Sequence, residues 1–203
     1  MDDQREQEVS TAGARSVAPA AGTLYTVGHS IRPIEAFLEL LARHAIAHLI
    51  DVRRHPGSRR HPQFGSQALA SALQPCGIAY THIEALGGRR IPREDSPNAG
   101  WRNASFRGYA DYMDSAEFGQ ALDRVRSIAG PQRTVLMCAE ALPWRCHRSL
   151  IADALVAGGR PVVHILDNEL RSHELPPFAR VRKGRVDYPG RPPKSPPPEL
   201  FAP

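Results

Sequence analysis

The segment Thr134-Val-Leu-Met-Cys-Ala-Glu-Ala-Leu-Pro-Trp-Arg-Cys-His-Arg148 constrains this chain more than any other. Its first part, Val135 to Met137, is an apolar run and reads as a buried strand. Pro143 has the fixed φ and the missing N–H that suit the first turn of a helix, and an amphipathic stretch follows to Ala157. The segment is therefore a strand, a tight loop and a helix. Two thiols, a carboxylate, an imidazole and two guanidinium groups fall between Cys138 and Arg148. In an open α/β sheet, the carboxyl end of a strand is where ligands bind.

The rest of the chain repeats the same unit. Residues 24–27 form a first strand stopped by Gly28, and residues 33–44 place Ile34, Phe37, Leu38 and Leu41 at helical spacing. Residues 48–52 are a second buried strand. Residues 66–75 are a second helix, with Gly77 just beyond it suited to a left-handed cap. A third strand (78–83) is followed by a long polar, basic loop (87–106), the kind of loop that is either a functional lid or disordered. One helix over 109–129, the fourth strand, the fourth helix to Ala157 and a fifth strand over 161–166 complete the series. That order predicts a single α/β domain over residues 23–168, Rossmann-like, with a mostly parallel five-stranded sheet and helices on both faces. Residues 1–22 read as a disordered tail. Residues 169–203 read as a Pro-rich, extended C-terminal extension, of which 187–203 is too stiff and too polar to build core.

Charge and cysteine content narrow the function classes. Over 203 residues the net charge is +5, which favours an anionic small molecule or nucleic acid as partner. Three cysteines, an odd and sparse set, argue against a disulfide framework and for reduced thiols in a cytoplasmic protein. No apolar run approaches the ~18 residues of a membrane span. Nothing in the sequence sets the oligomeric state.

The strand ends collect the chemistry-bearing residues. Asp51 closes a buried strand, so its carboxylate must be paired, as a brace or as a catalytic group. Glu140 lies just past the fourth strand, beside a helix opening, and is either a capping carboxylate or an acid–base group. The expected catalytic group is Asp51, Glu140 and His147. Arg53, Arg59 and Arg148 are expected to hold the anion, since guanidinium forks match phosphate oxygens. His29 and Ser30 follow Gly28 and join the substrate-binding set, although Ser30 serves equally as a helix N-cap. Trp101, in a polar loop, is the candidate for stacking on a base.

The cysteines leave two alternatives open. A strand-end Cys138 with Arg145 after it resembles an anion-cradling thiol loop, but the spacing is one residue longer than the thiol-phosphatase pattern, and Glu140 would repel an oxyanion. Cys138, Cys146 and His147 suggest a metal ion. Adjacent Cys and His side chains would diverge on a helix, however, and a zinc site normally shows two close ligand pairs. No cofactor is required by the sequence, and a metal ion at these three residues is the one cofactor alternative. A third reading is a nucleic-acid- or partner-binding module without catalysis, its carboxylates serving as braces.

Met137-Cys-Ala-Glu140 followed by Cys146-His-Arg148 resembles the signature of the DUF488 family, an uncharacterised domain family. Thr26-Val-Gly-His-Ser30, Asp51-Val-Arg-Arg-His-Pro-Gly-Ser58 and Tyr80-Thr-His-Ile-Glu-Ala-Leu-Gly-Gly88 are similar to it as well. The resemblance spans residues 23–167 and carries no agreed reaction. The chemistry has to come from the residues: hydrolysis or glycosyl-transfer-type chemistry is the expectation.

Overall fold

A computed structural model describes residues 22–57, 60–130, 132–167 and 169–190. Residues 1–21, Arg59 and the Pro-rich stretch after 190 lie outside these, so the expectations placed on them are not addressed. Six strands form the main sheet in the order β3-β2-β4-β1-β5-β6. They are β1 (Leu24–Gly28), β2 (His48–Asp51), β3 (Ala79–His82), β4 (Thr134–Cys138), β5 (Val162–Ile165) and β6 (Leu170–Ser172). The first five are parallel, and β6 runs antiparallel along β5. A separate hairpin pairs β7 (Arg180–Arg182) with β8 (Arg185–Asp187).

The helices follow from which side each strand residue faces. Alternate residues of a strand point to opposite faces. Tyr25, Val27, Leu49, Val135 and Met137 pack with Phe37, Leu40 and Leu41 of α1 (Ile34–Arg43) and Leu69 and Leu73 of α2 (Ser66–Leu73). Leu24, Ile50, Leu136, Cys138 and Val162 face the other way. They pack with α3 (Ala104–Tyr112), α4 (Ala116–Ile128) and α5 (Arg148–Ala157). The parallel strands are thus covered on both faces, which is why they are apolar runs rather than alternating ones. The chain leaves β1 through α1 on one face and β4 through α5 on the other. β1 and β4 are neighbours in the sheet, so a crevice opens between their carboxyl ends, at the point where the connections reverse.

Several elements differ from the sequence reading. The single helix expected over 109–129 is two helices. Ser115 accepts a hydrogen bond from Phe118 N–H at 3.1 Å and so restarts the chain as the N-cap of α4. The long loop before α3 is pinned by Asp111, which accepts from Arg93 N–H, Ser96 Oγ and Asn98 Nδ2 at 2.6–2.9 Å. Strand β6 adds a sixth strand to the sheet. It is wholly exposed and follows no apolar run, so no hydrophobic pattern marks it.

The C-terminal segment closes on the domain through a buried polar chain. Thr26 Oγ1 meets His164 Nδ1 at 2.7 Å, and His164 Nε2 meets His173 Nδ1 at 2.9 Å. His173 Nε2 meets Asp153 Oδ1 at 2.7 Å, and Tyr188 Oη donates to Asp153 Oδ2 at 2.6 Å. With both rings neutral, every hydroxyl and ring N–H can donate toward Asp153. Tyr188 is fully buried in the core beside α5, just past the point where the polar, Pro-rich composition suggests that core ends. Tyr188→Phe should lower stability by about 1–3 kcal/mol, because one oxygen of a buried carboxylate loses its donor. Tyr188→Ala should cost roughly 3–5 kcal/mol, as for other large core truncations. Urea unfolding of the three proteins tests this. Equal midpoints would show that the segment adds nothing to the fold.

Candidate functional site

The crevice between β1 and β4 is roofed by the loop from Cys138 to His147. Gly28 lets this loop come close: a Cβ there would sit 1.9 Å from the Glu140 carbonyl oxygen. His29 N–H and Ser30 N–H donate to the carbonyls of Cys138 and Ala139, each at 2.9 Å, so the two strand ends are zipped together. Arg148, fully buried at the start of α5, holds the loop from below. Its Nη1 donates to the Glu140 carbonyl, its Nη2 to the Ala141 carbonyl at 2.6 Å. A phosphate-cradling loop presents N–H groups to its ligand. Here the carbonyls of Glu140 and Ala141 are turned onto a cation inside the protein. Arg148 is therefore a loop support away from the cavity, and the charge it touches at residue 140 is the backbone oxygen, not the carboxylate.

A cavity of about 420 Å³ lies outside this loop. Its walls include Arg53, Arg54, Arg89, Arg145, Glu140, Cys138, Cys146 and His147. Arg54, Arg89, Arg145 and Glu140 are exposed. The Glu140 carboxylate makes no hydrogen bond among the described residues, so it caps nothing.

Asp51 does not reach this cavity. It is fully buried and saturated: Arg53 Nε and Nη2 bridge both carboxylate oxygens at 2.6–3.1 Å, Arg53 N–H donates to Oδ1 at 3.0 Å, and Tyr80 Oη donates to Oδ2 at 2.9 Å. Burial and the Asp51 carboxylate push the Tyr80 hydroxyl up from its ordinary range. The remaining Nη1 of Arg53 lies 3.3 Å from His29 Nε2. His29 Nδ1 donates to Ser30 O at 2.8 Å, and the ring stacks on Phe64 with centroids 4.1 Å apart. Burial, reinforced by the Arg53 charge, lowers the His29 pKa to about 4. His29 is thus a neutral acceptor held in the core. Ser30 has a left-handed backbone (φ 52°) and is not the N-cap of α1, a place taken by Pro33.

Trp101 is elsewhere. It stacks on Phe106 and meets Phe178 and Tyr188 edge-on, against a second cavity of about 740 Å³ that Trp144, His164 and Asp153 also line. Residues that line the strand-end cavity but lie outside the site set expected from sequence include Arg54, Arg89, Arg145 and Gly88. Arg54 and Arg145 adjoin motif residues. Arg89 has only the Gly-Gly pair before it as a signal.

The two cysteines and His147 converge. Cys138 Sγ, Cys146 Sγ and His147 Nδ1 all lie within 4.8 Å of one another, and Cys146 Sγ is 3.7 Å from Nδ1. The divergence expected of neighbouring helical side chains does not arise, because α5 begins only at Arg148 and Cys146 is extended (φ −131°, ψ 142°). His147 Nε2 donates to Val52 O at 3.0 Å, which turns Nδ1 toward the sulfurs. Tyr109 packs against the ring. The thiol of Cys138, hydrogen-bonded to Cys146, lowers the Cys146 pKa to about 7 against the opposing effect of burial. The same bond, with burial, raises Cys138 well above its ordinary value. All three cysteines are free thiols, with Cys76 exposed and remote.

The buried imidazoles set a pH dependence. His29 and His164, the latter lowered to about 3 mainly by burial, bind protons more weakly folded than unfolded. Between about pH 6.5 and 4 the unfolded chain takes up protons that the native protein refuses, so stability falls as pH falls. The loss should reach roughly 2 kcal/mol for each residue at pH 5, which urea midpoints at pH 7 and 5 would measure. A midpoint that stays level over this interval would mean that these rings are not held neutral.

No helix among the described residues is long and apolar enough to cross a membrane. No curated protein and no solved structure matches the chain. A family model does match, over residues 33–155, a span that contains the whole wall of the strand-end cavity. The chain belongs to the family described as domain of unknown function DUF488.

Proposed function

We propose that this protein is an enzyme acting on a small phosphate-bearing or otherwise anionic substrate at the carboxyl ends of β2 and β4. One observation carries the reading: a single cavity of about 420 Å³ brings Arg53, Arg54, Arg89 and Arg145 together with one unpaired carboxylate, Glu140. That volume suits a small molecule of nucleotide size. Arg54, Arg89 and Arg145 are exposed and suited to binding anion oxygens, whereas most of the Arg53 guanidinium is committed to Asp51 and Phe64 O. An anion drawn in by these charges would meet Glu140 and His147 on the same wall. Of the two carboxylates proposed from sequence, Glu140 is the acid–base group and Asp51 orients Arg53. The reaction class this supports is hydrolysis or group transfer, with Glu140 moving the proton.

Binding can be measured before any reaction is known. Inorganic phosphate, a nucleoside triphosphate and a short oligonucleotide, titrated separately by calorimetry, cover the anion classes. The nucleotide should bind, weaken with added salt, and lose at least ~10-fold in affinity in Arg54→Ala/Arg145→Ala. Absence of binding for all three probes at millimolar concentration would remove the anion reading. Oligonucleotide binding alone, with a salt slope of several charges, would favour a nucleic-acid module instead.

Glu140→Gln separates catalysis from scaffolding. The exposed, unpaired carboxylate implies a stability change within about 0.5 kcal/mol. Once a substrate is in hand, kcat should fall at least ~100-fold while nucleotide affinity is kept. A variant with full kcat would take Glu140 off the reaction.

A further inference from the structure

We infer that Cys138, Cys146 and His147 form a binding site for one zinc-class divalent ion, with its fourth ligand position open to the strand-end cavity. The three donor atoms already lie within 4.8 Å of one another, and Cys146 Sγ to His147 Nδ1 is 3.7 Å. With metal–sulfur bonds of about 2.3 Å and metal–nitrogen bonds of about 2.0 Å, a tetrahedral ion needs its ligand atoms roughly 3.5–3.8 Å apart. The side chains need only small rotations to close on an ion. Thiolate and imidazole together select zinc or a similar borderline ion over magnesium or calcium.

Independent contacts prepare the ligands. His147 Nε2 donates to the carbonyl of Val52 at 3.0 Å, the outer hydrogen bond that fixes a ligand imidazole's tautomer and aim. Gly88 supplies the space: a Cβ there would be 2.8 Å from His147 Nδ1, the ligand atom itself. This explains Gly88, since the loop carrying Arg89 passes against that atom, whereas a Cβ at Gly87 would instead meet Arg54 Cβ at 2.5 Å.

Three protein ligands and an open position are the pattern of catalytic rather than structural zinc. The catalytic use rests on the anionic-substrate reading above, but binding of the ion does not. In that use, a water at the open position gives one proton to Glu140 and adds as hydroxide to the electrophilic centre of the substrate. The bond to the leaving group then breaks, and the leaving group takes the proton from Glu140. One water is consumed and the site is restored.

The probe is Co²⁺, added to the full chain after reduction and chelation. One equivalent should produce the thiolate-to-cobalt charge-transfer band and the intense visible bands of a tetrahedral site, and one equivalent of Zn²⁺ should bleach them. Cys138→Ser and Cys146→Ser should each weaken Co²⁺ binding at least ~100-fold, with the charge-transfer band halved or lost. Gly88→Ala, which keeps every ligand, should weaken it at least ~10-fold. Cys76→Ser should change nothing. A reduced wild-type protein that shows no charge-transfer band at millimolar Co²⁺ overturns the proposal without needing any variant to fold. So does a band that survives in Cys138→Ser/Cys146→Ser. The phosphate and nucleotide titrations are run on the chelated protein, so anion binding without cobalt binding removes only the ion, and cobalt binding without anion binding removes only the substrate reading.

Discussion

The arrangement at the strand ends depends on one buried guanidinium. Arg148 has no carboxylate partner among the described residues, and its Nε finds no hydrogen-bond acceptor there. Taking such a cation out of water costs several kcal/mol unless dipoles and hydrogen bonds replace the solvent. Two loop carbonyls supply that replacement, and in doing so they fix the path of the chain between Cys138 and Cys146. The sulfur of Cys146 also feels the positive charge, which favours its ionised form. A carboxylate in place of these partners would neutralise Arg148 but would release the loop. The absence of a simple ion pair is thus what couples the loop's shape to the two thiols.

The second buried charge system works the opposite way. Asp51 and Arg53 form a bidentate pair sealed by Tyr80, so the charges cancel locally and the geometry is rigid. Neither oxygen of Asp51 is left to do chemistry. The pair instead holds the Arg53 guanidinium at the edge of the cavity and presents Nη1 to His29. Removing one partner would strand the other charge in the core, a loss of roughly 3–5 kcal/mol. Loss of function at Asp51 would therefore report on folding before it reported on mechanism.

Apolar runs made the parallel strands and their order of appearance legible, because a strand covered on both faces has little choice of composition. The crevice was legible for the same reason. What the sequence hid was pairing at short range and convergence at long range. Asp51 and Arg53 are two residues apart, and strand-like backbone puts alternate residues on one side, yet Arg53 reads from sequence as an anion-holding group rather than as the partner of Asp51. Adjacent Cys146 and His147 looked divergent only if the helix was started too early, at Pro143. The chain spends Pro143–Arg145 in a 3-10 turn first, which leaves Cys146 extended and lets both side chains reach one point. Residues such as Trp101 carry no label for which of two cavities they face, since that is set by the packing of Phe106, Phe178 and Tyr188.

The two polar systems of this domain divide its work. Every residue of the strand-end cavity lies from Arg53 to His147, on the segment that follows β2, at the end of β4 and in the loop after it, at Gly88 and Arg89, and at the start of α3. The chain of hydrogen bonds from Thr26 to Tyr188 instead draws on the first strand and on segments that follow α5. They meet at α5: its first residue, Arg148, supports the loop, and Asp153, one and a half turns on, receives His173 and Tyr188. A helix is stiff over that length, so a shift of α5 against the sheet would move both ends together. The C-terminal segment thus contributes to the site without touching it, by fixing the helix from which Arg148 holds the two cysteines in place.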